Sequence, residues 1–328
     1  KLRSLKGLPG NVASGFVVST VVFAGTVAVC ALMFWLGPKL FGRGVWVVWG
    51  VLVTADLFYF GYDYNPIVEE HLVFPETEAV RYLKRNLGPD RIVGPRHVFL
   101  PSTPTYYGIR DARGFDAIDV ADLKRFMETG RVEGAVKRAM MSVKYFVTDR
   151  PLPDMYDALV RDRDMFIYRL PNSVARVNLV GQAEVFVGGD RTRLLDRMGQ
   201  TDFNAHRTVL LWEPGPVETV RIEGRQQPVG LARIVHDGIN EVVVRTRQDR
   251  PGWLVMSDTY FPGWKVEVDG KPATLLCANY TFRAVKLESG EHTVRFVYRP
   301  LSFTVGLVLS VFGLAGCVGW MLLGRPPA

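Results

Sequence analysis

Charged side chains are absent from two long stretches of this chain and almost absent from a third, and no other feature limits its fold as strongly. Val12 to Leu36 is 25 residues without a charge, Leu301 to Gly324 is 24, and Val45 to Tyr62 is 18 with Asp56 alone. A bilayer core takes about 20 apolar residues of helix. The runs therefore predict three transmembrane helices, at about 12–36, 45–62 and 301–324. Between the second and third lie 237 residues, Asp63 to Arg299, of ordinary soluble composition, which predicts one large aqueous domain. This layout excludes a plain cytosolic enzyme, a disordered chain and a disulfide miniprotein.

The formal charge of +7 has to be divided in the same way. Lys1, Arg3, Lys6, Lys39, Arg43 and Arg325 flank the apolar runs, where basic residues anchor helices. What remains is 34 basic against 32 acidic residues, a net of +2. That is no basic face for nucleic acid, so membrane lipid is the expected partner and nucleic acid is not. Cys30 and Cys317 fall inside apolar runs and Cys277 stands alone in the aqueous part, which leaves no disulfide framework and no CxxC metal motif. Lys1 reads as a cut point in a longer polypeptide or as a processed start, because the first run is too long for a signal-peptide core.

Gly37-Pro38 stops the first helix and Lys39 to Gly44 forms a tight loop. The second ends in Phe58, Tyr59, Phe60, Tyr62 and Tyr64 before Asn65-Pro66, the aromatic signature of a membrane–water boundary. Residues 63–214 mix helix and strand periods and are expected to form an α+β or α/β subdomain. Its helices are expected at Pro75–Leu87, with Val80, Leu83 and Leu87 on one stripe, and at Val120–Glu128, Val132–Met141 and Arg191–Met198. Its strands are expected at Arg91–Gly94, Lys144–Thr148, Met165–Leu170 and Thr208–Trp212. From 215 to 299 the period becomes two, with eight strand candidates between Val220 and Tyr298, the sixth at Ala273–Leu276. Turn pairs separate them, Asp269-Gly270 being the strongest hairpin signal because a type I′ turn needs positive φ at both positions. This predicts an antiparallel β-sandwich running almost directly into the third helix.

Signals for chemistry are sparse. Asp56 lies in an apolar run, where a carboxylate is a functional candidate by default; it either cements helix packing or handles a proton or a polar substrate. Glu69 and Glu70, followed by His71, sit just past the membrane exit, as a base near a lipid headgroup or as a solvated helix start. Asp162-Arg163-Asp164 has the DxD spacing of some metal-dependent glycosyltransferases and reads here as a charged turn, so no metal and no cofactor are expected. HExxH, GxSxG and phosphate-binding glycine loops are absent. Trp253, Tyr260, Phe261, Trp264, Tyr280 and Phe282 are read mainly as sandwich core, with Tyr260 and Phe261, beside Pro262-Gly263, as possible carbohydrate contacts.

Five phrases carry a family resemblance. They are Ala55-Asp56-Leu57-Phe58 through Tyr64-Asn65-Pro66; Tyr107-Gly108-Ile109-Arg110-Asp111-Ala112-Arg113-Gly114-Phe115-Asp116-Ala117; Val143-Lys144-Tyr145-Phe146-Val147-Thr148-Asp149; Ser257-Asp258-Thr259-Tyr260-Phe261-Pro262-Gly263-Trp264, running on to Asp269-Gly270; and Gly290-Glu291-His292-Thr293-Val294 through Tyr298-Arg299-Pro300. In order and spacing the chain resembles the C-terminal part of bacterial YfhO-family membrane proteins, which are similar to multi-spanning GT-C glycosyltransferases. The resemblance implies a polyprenyl-phosphate-linked sugar donor and a cell-wall glycopolymer or glycolipid acceptor in the bacterial cell envelope. It implies a catalytic carboxylate in a first extracytoplasmic loop that has no counterpart here, so no catalytic residue carries over. The chain alone is expected to transfer no sugar. The alternative is a non-catalytic membrane-anchored surface or carbohydrate-binding module. Flanking charge is tied three against three between the two orientations; the resemblance places 63–299 outside the cell.

Overall fold

The computed structural model describes residues 42–62 and 74–323, except 96, 101, 115–119, 154–157, 163–164 and 228, together with 25, 27, 31, 35, 39 and 69. The chain divides into two compact units, Lys1–Pro75 and Glu76–Ala328, each described by itself.

In the first unit, helix α1, Val45–Gly61, follows a 3-10 turn at Gly42–Gly44. It is apolar on every side, as a lipid-facing helix is, and Asp56 is exposed on it. Its 17 residues reach about 26 Å at 1.5 Å each, short of a bilayer core of about 30 Å. The expected helix over 12–36 lies outside the described residues apart from Gly25, Val27, Ala31 and Trp35. Among the described residues one helix, not three, has the length and composition to cross a membrane: Leu301–Trp320, with a mean hydropathy of 2.1. The described residues thus show one such span and do not test the expected helix over 12–36.

The second unit opens with α2, Glu78–Asn86. Thr77 caps it, its hydroxyl accepting from Val80 N, and Lys84 and Arg85 close its last turn. Ala79, Val80, Leu83 and the following Leu87 are buried in one stripe. They cover a four-stranded sheet in which β1, Arg91–Val93, runs parallel to β2, Val143–Thr148, followed by antiparallel β4, Met165–Arg169, and β3, Val160–Asp162. Ile92, Tyr145, Val147 and Ile167 form the facing layer. Short α3, Thr103–Tyr106, lies in the connection; α4, Ala121–Glu128, and α5, Gly134–Met140, follow it.

The remainder is two sheets. Strands β5 to β8 are Val177–Val180, Gln182–Val187, Thr208–Glu213 and Thr219–Gly224. Strands β9 to β12 are Gly230–Asp237, Glu241–Gln248, Gly252–Met256 and Trp264–Val268. Strands β13 to β16 are Lys271–Ala273, Leu276–Ala278, Phe282–Leu287 and Gly290–Tyr298. One sheet is antiparallel in the order β13-β12-β16-β10-β9, the other has the order β5-β11-β15-β14-β7-β6-β8. Val242, Val244, Val294 and Phe296 from the first meet Leu254, Met256, Val285 and Leu287 from the second, and the inward side of β10 alternates as its sequence does.

Two features depart from the expected antiparallel sandwich. The seven-stranded sheet is mixed, because β6 runs parallel to β7. Hydrogen bonding also crosses residue 214: β5 pairs with β11, Trp253 opposite Val180. The physical reason lies in β6, where Ala183, Val185 and Phe186 are all buried. Helices α4, α5 and α6, Arg193–Met198, pack Phe126, Met140 and Leu194 on one face of this sheet with Phe186, Leu210 and Phe282. A strand covered on both faces shows no period of two. The single strand expected at Ala273–Leu276 is instead split, Ala273 ending β13 and Leu276 opening β14, with residues 274–275 between them. Asp269 and Gly270 have φ of 52° and 76°, as the hairpin signal requires.

From β16 the chain passes through Arg299-Pro300 into α7, Leu301–Leu323, whose described side chains are almost all exposed.

Candidate functional site

Every residue of β11 is buried, and the chain leaves it at Ser257-Asp258. Asp258 is only 12% exposed. Arg176, just before β5, clamps it with two bonds, Nε at 2.9 Å to one oxygen and Nη2 at 2.7 Å to the other. Arg91, the first residue of β1, donates to it at 2.6 Å, and its other terminal nitrogen reaches Ser257 Oγ and Met141 O, both at 2.9 Å. Arg283 on β15 comes within 3.8 Å of it. Arg176 reaches further, donating at 2.7 Å to Asp237 at the end of β9, which Arg110 also pairs. Asp90 accepts from Ser142 Oγ at 3.0 Å and from Arg176 N at 3.4 Å. Four arginines thus converge on two aspartates where the small α/β layer meets the sandwich.

Burial would raise the Asp258 carboxyl, but the Arg176 hydrogen bonds and the charges of Arg91, Arg176 and Arg283 overrule it and hold the group well below the usual carboxylate range. Arg176, although buried, is held charged by the two aspartates. Burial pushes Arg283 down to about 10 against the pull of Asp258. Its guanidinium lies 3.8 Å over the Trp264 ring, a cation–π contact, and its Nε donates to Thr259 O at 3.0 Å. Trp264 in turn leans on Tyr298 with ring centroids 5.3 Å apart, and Arg299 N donates to Gly263 O at 2.7 Å. Gly263 has φ +104° and no room for a Cβ against Pro300. A continuous chain of contacts therefore runs from β1 through Asp258, Arg283 and Trp264 to the root of α7.

A general base needs a pKa near the working pH and a free oxygen. Asp258 has neither, so the network is a fixed joint between layers. Beside it is a cleft of about 470 Å³ lined by Asp90, Arg110, Arg176, Arg233, His236 and Asp237, with more cationic than anionic side chains. Among the described residues no group of three acidic, His or Cys side chains is placed to hold a metal. Asp162, from the DxD spacing, accepts from Ala79 N at 2.8 Å and so holds the first turn of α2; residues 163 and 164 lie outside the described residues.

The sequence candidates fall in both units. Asp56 and Glu69 belong to the first unit, both exposed, and Glu70 lies outside the described residues. Tyr260 and Phe261 belong to the second. Tyr260 is half-buried, its N–H donating to Thr281 O at 2.7 Å, while Phe261 is 43% exposed. Sequence reasoning missed Arg91, Arg176, Asp237 and Arg283. Two members of the network, Arg110 and Asp258, do stand in the resemblance phrases; Asp258 is the one charge in Ser257 to Trp264, which was an available signal, whereas Arg110 is one of four charges between Tyr107 and Ala117.

A sandwich that continues through two residues into an apolar helix long enough to cross a bilayer defines a membrane-anchored domain. Residues 230–310, from β9 into the first part of α7, match the family model of the bacterial membrane protein YfhO. That match spans about a quarter of the chain, so this stretch is similar to the YfhO membrane proteins. No curated protein and no solved structure matches it.

Proposed function

We propose that this chain is the C-terminal part of a polyprenyl-phosphate-sugar-dependent glycosyltransferase that modifies cell-envelope glycopolymers or glycolipids, with the domain over 63–299 outside the cell, positioning the acceptor. The observation that carries this is the buried joint at Asp258, which ties the α/β layer, the sandwich and the root of α7 into one frame. Positioning requires such rigidity, since reacting groups must be held close to their productive geometry. In the cleft beside the joint Arg110 and Arg176 are engaged with Asp237, which leaves Arg233 and His236 on its wall to meet a phosphate or another anionic group of a substrate. The base that accepts the acceptor's proton is assigned to a segment upstream, because Asp258 is locked as an ion pair.

Two measurements test this. Reconstituted with a polyprenyl-phosphate sugar and envelope glycopolymer, the chain alone should give no turnover, and the protein with its upstream membrane helices should give it. Absence of turnover in both, with glycopolymer still retained by the domain, would leave the carbohydrate-binding module as the correct reading. For orientation, Ser289→Cys in a background without Cys30, Cys277 and Cys317 should react with an impermeant thiol reagent on intact cells. Reaction only after lysis would reverse the topology.

A further inference from the structure

Strand β16 is the middle of the five-stranded sheet and runs from Gly290 at one end of the sandwich to Tyr298 at the other, about 30 Å at strand spacing. Its two neighbours turn at the Tyr298 end. On one side β9 and β10 join through Gly238-Ile239-Asn240, closed by Gly238 N to Glu241 O at 2.8 Å, and Asn240 O accepts from Tyr298 N at 2.9 Å. On the other side β11 and β12 join through 257–263, and Gly263 O accepts from Arg299 N at 2.7 Å. Trp264 sits opposite Tyr298 in the register. Each turn is therefore hydrogen-bonded to one of the two residues that precede Pro300, and α7 begins at Leu301.

The tips of these turns are apolar and face solvent. Ile239 is 94% exposed and Phe261 43%. Single exposed apolar residues are ordinary, but these two flank the root of a helix that has the length and hydropathy of a membrane span and whose first residue, Leu301, is 77% exposed. The turns at the opposite end of the sheet, Asp269-Gly270 and Ser289-Gly290, carry no apolar side chain. Exposed Lys265 and Arg299 stand at the level of the apolar tips, with the Trp264–Tyr298 pair between them. Apolar tips, an aromatic pair and basic residues at one depth are what a membrane–water interface selects.

We propose that Ile239 and Phe261 enter the interfacial layer of the bilayer crossed by α7, so that the sandwich stands on the membrane at three points: the helix root and the two turn tips. The lipid surface is the occupant because the patch is continuous with α7. Lipid contact then limits tilting of the domain about the short Arg299-Pro300 connection. It also makes the exposure of Phe261 a lipid contact and not a sugar contact.

The test uses the full chain with Cys30, Cys277 and Cys317 replaced by serine and one cysteine introduced at Ile239, Phe261 or Ser289. Each is labelled with a polarity-sensitive nitrobenzoxadiazole and reconstituted into phosphatidylcholine–phosphatidylglycerol vesicles, with or without lipid bearing a nitroxide high on the acyl chain. Emission at 239 and 261 should be blue-shifted relative to 289 and quenched by the nitroxide lipid, while 289 shows neither effect. Unshifted, unquenched emission at 239 and 261 would overturn the proposal. So would a blue shift without lipid quenching that grows with the protein-to-lipid ratio, which would mark a second copy as the occupant. Ile239 makes no buried contact, so its replacement does not endanger the fold. Sugar transfer is not the readout, and failure here is distinguishable from failure of the glycosyltransferase reading.

Discussion

At the α7 end of the sandwich, Asp258 is 12% exposed and takes hydrogen bonds from Arg91 and Arg176. At the other end, Asp269 is 49% exposed, contacts His292 Nδ1 at 2.7 Å and accepts from Thr293 N at 2.8 Å. Both are carboxylates that follow a strand, and both face a nitrogen base and a polar donor. What differs is water. Near the solvated Asp269, water screens the pair and replaces any partner that is lost. Around Asp258 nothing replaces it, and three guanidiniums would be left facing one another. The ion pair that decides how layers sit together is thus the buried one, and its removal, not its mere presence, carries the large free energy.

The largest expected effect is that of Asp258→Ala, which strands Arg91, Arg176 and Arg283. It should destabilise the chain by about 3–5 kcal/mol, read from thermal or denaturant melts of the full chain in detergent. A loss no larger than that of a surface pair would erase the contrast between the two ends. Trp264→Ala comes next, at about 3 kcal/mol, the low end for a Trp because the ring is half-buried and one face is covered by Arg283 rather than by core. A double-mutant cycle with Arg283→Met should return a coupling of about 1–2 kcal/mol, and additive losses would break the path from Asp258 to α7.

The pH dependence follows from the direction of the Asp258 shift. Its folded pKa lies below the unfolded value of about 3.9, so its stabilisation is fully present above that value and is lost as pH falls through the folded pKa. Denaturant melts between pH 6 and pH 3 should show stability falling with acid more steeply in the parent chain than in Asp258→Asn; parallel curves would contradict the assignment. Smallest is Asp269→Asn, which keeps a residue tolerant of the positive φ of 52° and removes the charge, expected below about 1 kcal/mol and weaker still in salt, measured by the same melts.

How far each end was legible in the sequence follows from range. The Asp269-Gly270 turn is local chemistry, and β10 alternates because one face of it meets the core, so both can be read from neighbouring residues. The stripe Val80, Leu83 and Leu87 is legible for the same reason. The joint at Asp258 unites residues 82 and 167 positions away, and no spacing rule reaches that far. Arg110 and Asp258 stand in the resemblance phrases without anything to pair them, and Arg176 and Arg283 stand in none. Strands β5 and β6 stayed hidden because burial on both faces removes the alternation that marks a strand, and with them went the continuity of the sheet across residue 214. Asp56, Glu69 and Glu70 were singled out because charge beside an apolar run is conspicuous, whereas arginines scattered through a soluble domain are not.

Asp258 couples the α/β layer to the root of the membrane helix. Amide hydrogen exchange on the full chain in detergent tests it directly, comparing the parent with Asp258→Asn, which keeps the shape and removes the charge. Three amides report: Ile92, whose N–H donates to Arg110 O at 2.9 Å; Arg299, bonded to Gly263 O at 2.7 Å; and Thr293 at the far end, bonded to Asp269 Oδ1 at 2.8 Å. Exchange should be faster at Ile92 and Arg299 together, with Thr293 unchanged. Acceleration at Ile92 with Arg299 as slow as in the parent would contradict the coupling, because the joint would then tie the layers without reaching α7.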